Sequence, residues 1–361
     1  MSEFKGKLHE TVVKFPCTDI WNDSCAQDDL DYAIERGAVG ATTNPVIVKD
    51  VLKREMPLWA PRIKELCVEM ADATEDDIAW ELIEEIAAQR SKLLLPAFEK
   101  FEGKKGRLSI QTNAKNYRNA KKMADQAIHF NTLGPNMQVK MATSKAGIEA
   151  FEEATYHGVS INATISFTVA QAVAVAEAVE RGLKRREAEG LPTENMSPVC
   201  TIMIGRVDDY LKYIVKQTGV EVDPEYLEWA GIAVFKEAYR IYKERGYRTR
   251  LLTAAYRNIN HWAEFIGGDC CMTITHQWQE KINASDVVVE ERMSKPVDQK
   301  IIDTLLEKFD DFKKAYCEDA LIVEDFEKYG AFILTLNGFL AGYDELCGII
   351  RGFMNPTPYA D

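Results

Sequence analysis

The sequence predicts an α/β protein built as a (β/α)8 barrel of the TIM type, with an additional helical extension at its C-terminal end. Three observations carry this. Short apolar runs alternate with helix-period patterns, and such alternation makes βα units that assemble a parallel sheet. Eight runs occur over roughly 270 residues, the number and spacing that close a barrel. An open doubly wound sheet would ordinarily show a Gly-rich phosphate loop early, and neither GxGxxG nor GxxxxGK[ST] occurs.

The expected strands are 11–18, 38–43, 107–112, 137–141, 159–164, 199–204, 250–254 and 270–273. The second ends at the turn signal Asn44-Pro45. The fourth, MQVKM, is apolar apart from one lysine, Lys140. Between the strands lie helical patterns over 28–36, 81–101, 116–129, 145–156, 168–187, 226–244 and 259–266. The stretch 184–197, KRREAEGLPTENMS, is polar and contains Gly190 and Pro192, so it reads as a surface connection. Residues 1–285 form the barrel and catalytic domain. Residues 286–361 form a helical extension, aromatic-rich over 329–343, that packs on the barrel and shields one mouth.

A chain of 361 residues with 46% hydrophobic content builds a large core. The net charge of −13 argues against nucleic acid and against an anionic membrane surface as partners. No window is expected to reach the length of a membrane-spanning helix. The opening MSEFKGKLHETVVKF lacks the apolar segment of a signal peptide, and the eight cysteines follow no disulfide framework. A reduced, cytoplasmic location is therefore expected. Cys270, Cys271 and His276 are read as core residues, because neighbouring strand positions point to opposite faces and do not share an ion.

Chemistry in such barrels collects at the C-terminal ends of the strands. The residues expected there are Asp19, Thr43 with Asn44, Gln111, Lys140 with Thr143, Asn162 with Thr164, Thr201 with Arg206, Arg257 and Thr273. Almost all are polar. A strand-end lysine commonly extends its ammonium to water. Held instead among Val139 and Met141, Lys140 has a lowered pKa, and its neutral amine can attack a carbonyl. Asp19 either caps a turn or, facing the mouth, acts as general acid or base; Asp23 is the nearby alternative, preferred as a turn or cap residue. Arg206 and Arg257, each after an apolar run, suit a phosphate gripped by planar guanidinium donors.

GAVGATTNPVIVKD, MQVKMATSKAGIEAFEEATYHGVSINATISFTVAQA, IGRVDDY and AAYRNI occur in this order between about residues 11 and 285. Together they resemble the transaldolase family, within the transaldolase and fructose 6-phosphate aldolase group. The resemblance implies a class I Schiff-base barrel that needs no metal or organic cofactor. It implies transfer of a dihydroxyacetone unit from a ketose phosphate to an aldose phosphate, in the pentose phosphate pathway. Sugar phosphates are then the partners, and a homo-oligomer is compatible with it. By the resemblance, Lys140 is the Schiff-base lysine and Asp19 the carboxylate that moves the C4 hydroxyl proton. Thr164 positions the catalytic water. Asn44, with Thr43 before it, and Asn162 orient substrate hydroxyls, and Arg206 and Arg257 clamp the phosphate. The sequence departs from the three-carbon transferases at Gln111, where a glutamate is typical, and resembles the aldolase branch there. Met203 stands where that branch tends to have a tyrosine, and Thr201 replaces the serine usually beside the phosphate. Gln111 therefore also motivates release of free dihydroxyacetone, or a sugar-phosphate binder impaired in catalysis.

Overall fold

The computed structural model describes residues 4–358. Eight parallel strands close into one barrel in chain order: β1 Asp19–Asn22, β2 Gly40–Thr42, β3 Arg107–Gln111, β4 Met137–Ala142, β5 Ile161–Ser166, β6 Val199–Ile202, β7 Arg250–Thr253 and β8 Cys271–Ile274. Pairing of Asp19 through Asn22 with Cys271 through Ile274 completes the ring and leaves no open sheet edge. The last seven expected strands are found with ends displaced by at most two residues.

The first is corrected. Residues Lys7–Lys14 form a helix, not a strand, and β1 begins only at Asp19. The β-branched Thr11, Val12 and Val13 suggest a strand locally. Packing decides otherwise: Leu8 and Thr11, one helical turn apart, are buried on the same face, and Lys14 pairs with Glu10 at 2.6 Å. The displacement puts Asp19 at the N-terminal end of β1, on the floor of the barrel. There it holds Lys105 at 2.5 Å and Arg250 at 2.6 Å, and Arg250 also reaches Asp269 at 3.0 Å. Asp19 is a structural ion-pair centre, not a mouth residue.

Inside the barrel the strands carry a polar layer. Ser109 Oγ donates to Gln138 Oε1 (2.5 Å), and Gln138 Nε2 donates to the Ser197 carbonyl (2.7 Å). Asn162 Nδ2 donates to Ser109 Oγ (3.1 Å), and Thr201 Oγ1 donates to Asn162 Oδ1 (2.7 Å). Satisfied in this way, buried polar groups are tolerated and rigid. Gly40 in β2 is required by close approach: a Cβ there would lie 2.5 Å from the Trp21 indole.

The polar stretch 184–197 divides. Its start continues the helix Val169–Ala188, and the remainder is a surface connection whose Asn195 carbonyl accepts from Arg107 (2.8 Å). The extension contains helices Gln299–Lys308, Asp310–Tyr316 and Gly330–Met354. The last, 25 residues with an 18-residue window of mean hydropathy 1.2, is long and apolar enough to cross a membrane. This corrects the expectation that no such window exists. Here its apolar face is spent on the barrel: Phe332, Leu336, Phe339, Tyr343, Leu346 and Ile350 are buried against helices that include Pro45–Arg54 and Glu75–Ser91. At the crossing, a Cβ on Gly342 would lie 2.4 Å from Val46 Cγ2.

Candidate active site

β4 carries Lys140 in register with Gln111 on β3 and Asn162 on β5. The residue is 5% exposed, and among the described residues its amine makes no hydrogen bond or ion pair. Burial holds its pKa below the ordinary lysine range, and the Asp23 carboxylate opposes this in part. An unpaired buried ammonium is costly, so the site favours a neutral amine, the form that is a nucleophile.

Asp23 is the carboxylate that faces this amine. Period-two alternation in β1 places residues 19, 21 and 23 on one side, so Asp19 points into the floor and Asp23 into the mouth. Thr42 Oγ1 donates to Asp23 Oδ1 at 2.6 Å and lies 2.6 Å from Thr273 Oγ1. A hydroxyl has one proton, so Thr42 spends it on Asp23 and accepts from Thr273. Burial raises the Asp23 carboxyl, while Lys140 and the Thr42 hydrogen bond oppose that. A carboxylate raised toward neutrality is suited to exchanging a proton with a substrate hydroxyl.

Across the cavity stand the two arginines. Arg257 is held by Asp209 (Nε to Oδ1 3.0 Å, Nη2 to Oδ2 2.7 Å) and by the carbonyls of Ala255 and Tyr256. The guanidinium of Arg206 makes no hydrogen bond or ion pair among the described residues. Partial withdrawal from water and the adjacent Arg257 charge lower its pKa. Two adjacent guanidinium groups, one of them unpaired by carboxylates, suit the binding of an anion such as a phosphate.

These groups line one cavity of about 300 Å³. Of the residues expected at the site, Lys140, Thr164, Asn44, Thr201, Met203, Arg206, Arg257 and Thr273 are brought together on its wall. Asn44 caps the helix Pro45–Arg54 by accepting from the Ile47 N–H (3.0 Å), and its Nδ2 donates to no group among the described residues. Asp19 lies at the opposite end of the barrel, as described. Thr43 is not on the wall either: alternation turns it outward, and its hydroxyl meets Cys25 Sγ at 3.4 Å. Asn162 sits one layer below, where both ends of its amide are bonded and it holds Thr201. Gln111 is buried beside Lys140, off the wall, with Oε1 unpartnered among the described residues. Missing from the sequence-based set are Asp23 as a functional group, Thr42, Thr275 and the roof residues Leu334, Thr335 and Phe339 of the C-terminal helix. Counting inward positions back from a correctly placed β1 would have found Asp23.

Comparison with known proteins agrees with the geometry. The family described as transaldolase/fructose-6-phosphate aldolase matches residues 20–328. A transaldolase of Thiobacillus denitrificans is 30% identical over 233 residues, 62% of this chain and 64% of that protein. Transaldolases of Mycobacterium tuberculosis and Mycolicibacterium smegmatis are each 26% identical over 240 residues, 62% of both chains. The matched region thus spans under two thirds of the length of these relatives. The chain belongs to the transaldolase/fructose-6-phosphate aldolase family, whose function is of the aldolase type.

Proposed function

We propose that this protein transfers a dihydroxyacetone unit between sugar phosphates through a Schiff base on Lys140. The observation that carries this is one cavity holding an unpaired buried amine, a carboxylate beside it and two guanidinium groups. The neutral amine attacks the C2 carbonyl of a ketose phosphate, and loss of water gives a protonated imine. Asp23, in place of Asp19, takes the C4 hydroxyl proton. The C3–C4 bond breaks toward the imine, an aldose phosphate leaves, and a three-carbon enamine remains on Lys140. A second aldose phosphate accepts that unit by the reverse steps, and hydrolysis of the imine frees the lysine. Thr164 and Thr201 supply wall hydroxyls for the water and for substrate oxygens. Arg206 and Arg257 anchor the phosphate, whose binding energy positions the reacting carbons.

Borohydride reduction in the presence of fructose 6-phosphate tests the assignment. A stable adduct mapped to Lys140, absent in Lys140→Met, is expected; an adduct on another lysine overturns it. Gln111 supports a second reading, release of free dihydroxyacetone. Its amide stands beside Lys140, where it cannot exchange a proton as a carboxylate does. Dihydroxyacetone formed without an acceptor aldose favours that outcome, and acceptor-dependent turnover favours transfer.

A further inference from the structure

We propose that the buried pair Asp208 and His261 is a positioning device for Arg257 and sets the affinity for the substrate phosphate without touching it. The proposal rests on the reading of Arg206 and Arg257 as the phosphate clamp. His261 lies in the short helix Asn260–Ala263 and is fully buried. Its ring makes two hydrogen bonds of opposite kind. Nδ1 accepts the backbone N–H of Arg257 at 3.1 Å and so carries no proton. Nε2 therefore carries it and donates to Asp208 Oδ2 at 2.9 Å. The other oxygen of Asp208 accepts the Gly231 N–H at 2.8 Å, in the first turn of the helix Ala230–Arg245. That helix N-terminus favours the negative charge.

The arrangement fixes one tautomer of His261, and with it the peptide from which the Arg257 side chain springs. That peptide needs holding. Ala255, two residues earlier, has φ +66, a left-handed conformation that a non-glycine residue adopts at a cost. The side chain of Arg257 is gripped separately by Asp209. Consecutive residues of the helix Ile204–Thr218 thus hold the guanidinium of Arg257 directly and its backbone through His261, while Arg206 on the same helix supplies the second guanidinium. One helical turn sets the spacing of both.

Asp208→Asn tests this at nearly unchanged volume. An amide in that place must present an NH2 either to the Gly231 N–H or to His261 Nε2. In the second case the ring proton moves to Nδ1, where it opposes the Arg257 N–H. His261→Gln retains a donor toward Asp208 and removes the acceptor, whereas His261→Asn retains an acceptor near the Nδ1 position. The KM for fructose 6-phosphate is expected to rise roughly tenfold in Asp208→Asn and His261→Gln and to stay near wild type in His261→Asn. Borohydride trapping of dihydroxyacetone, which has no phosphate, is expected to be unchanged in all three. Arg257→Met is the control. If it raises the KM while Asp208→Asn and His261→Gln do not, the positioning role is wrong. Equal loss with the phosphorylated and unphosphorylated compounds also overturns it, since a general packing role would act on both. If Arg257→Met leaves the KM unchanged, the phosphate clamp itself fails, and this proposal fails with it. Where His261→Gln does not fold by thermal melt, Asp208→Asn decides.

Discussion

The side chain of Lys140 is held at a stability cost, and the sign of that cost is testable. Burial lowers its folded-state pKa below the unfolded value of about 10.5. Between those two values the unfolded chain binds the proton and the folded chain does not, so stability rises with pH across that window. Below the folded-state pKa the penalty is complete. Lys140→Met removes it and is expected to stabilise the protein by about 1–3 kcal/mol at neutral pH, with the difference closing toward pH 10.5. Thermal melts of both proteins across that range check this; a gap independent of pH contradicts it. The two aspartates of β1 separate along the same line between stability and chemistry. Asp23→Asn is expected to lower kcat by about 10²- to 10⁴-fold with little change in melting temperature. Asp19→Asn leaves Lys105 and Arg250 facing an uncharged amide on the floor. It is expected to cost about 3 kcal/mol of stability and to leave kcat unchanged. Measuring both properties in both variants would expose an exchange of roles.

At the scale of the element, β2 to β8 were legible because each is an apolar run between a helical pattern and a turn, and barrel closure demands eight. β1 was not. DIWN is four residues long and carries a charge at its first position, so its apolar content is too small to stand out. The neighbouring TVVKF has stronger strand propensity but is recruited into a helix by burial of Leu8 and Thr11. The error passed directly to the site, because a strand end misplaced by a few residues exchanges one aspartate for the other. Asn44-Pro45 is a turn signal in the sequence and the start of a helix in the structure, with Asn44 as cap and Pro45 in the first turn. Close approaches between elements were not legible at all. Gly205 illustrates this: a Cβ there would lie 1.8 Å from the Ala255 carbonyl oxygen and 2.8 Å from Arg257 Cγ. Gly205→Ala must push the helix Ile204–Thr218 away from the loop that carries Arg257. A loss of about 1–3 kcal/mol is expected, accompanied by a higher KM for the phosphorylated donor. A variant that loses stability with KM intact would show that the two arginines tolerate the shift.

Over the whole molecule the charge balance is −13, yet the cavity must receive an anion. Composition does not reveal how this is done, because it cannot tell which of 44 cationic residues are already neutralised by carboxylates. Folding sorts them: Arg62 meets three glutamates and Arg250 two aspartates, while Arg206 is left with no ion pair among the described residues. The shielding of one mouth by the C-terminal extension was legible from its apolar, aromatic sequence, but the residues over the cavity were not. Which face of the helix Gly330–Met354 turns down depends on its crossing of the helix Pro45–Arg54, a contact nearly 300 positions distant in sequence. That crossing sets Phe339 at 6% exposure between the cavity and the outside. Phe339 and Lys140 line the same cavity, so the roof is expected to contribute to the desolvation that lowers the pKa of the amine. Phe339→Ala is expected to cost about 3–5 kcal/mol and to admit water above the lysine. Rehydration favours the ammonium, so the pKa of Lys140 moves back up toward its ordinary value. The neutral fraction at pH 7 falls, and Schiff-base formation slows there but recovers as the pH is raised. Borohydride trapping rates measured against pH would show the acid limb displaced to higher pH in the variant. A limb that stays in place, with rates lowered equally at every pH, would mean that the barrel alone desolvates the lysine.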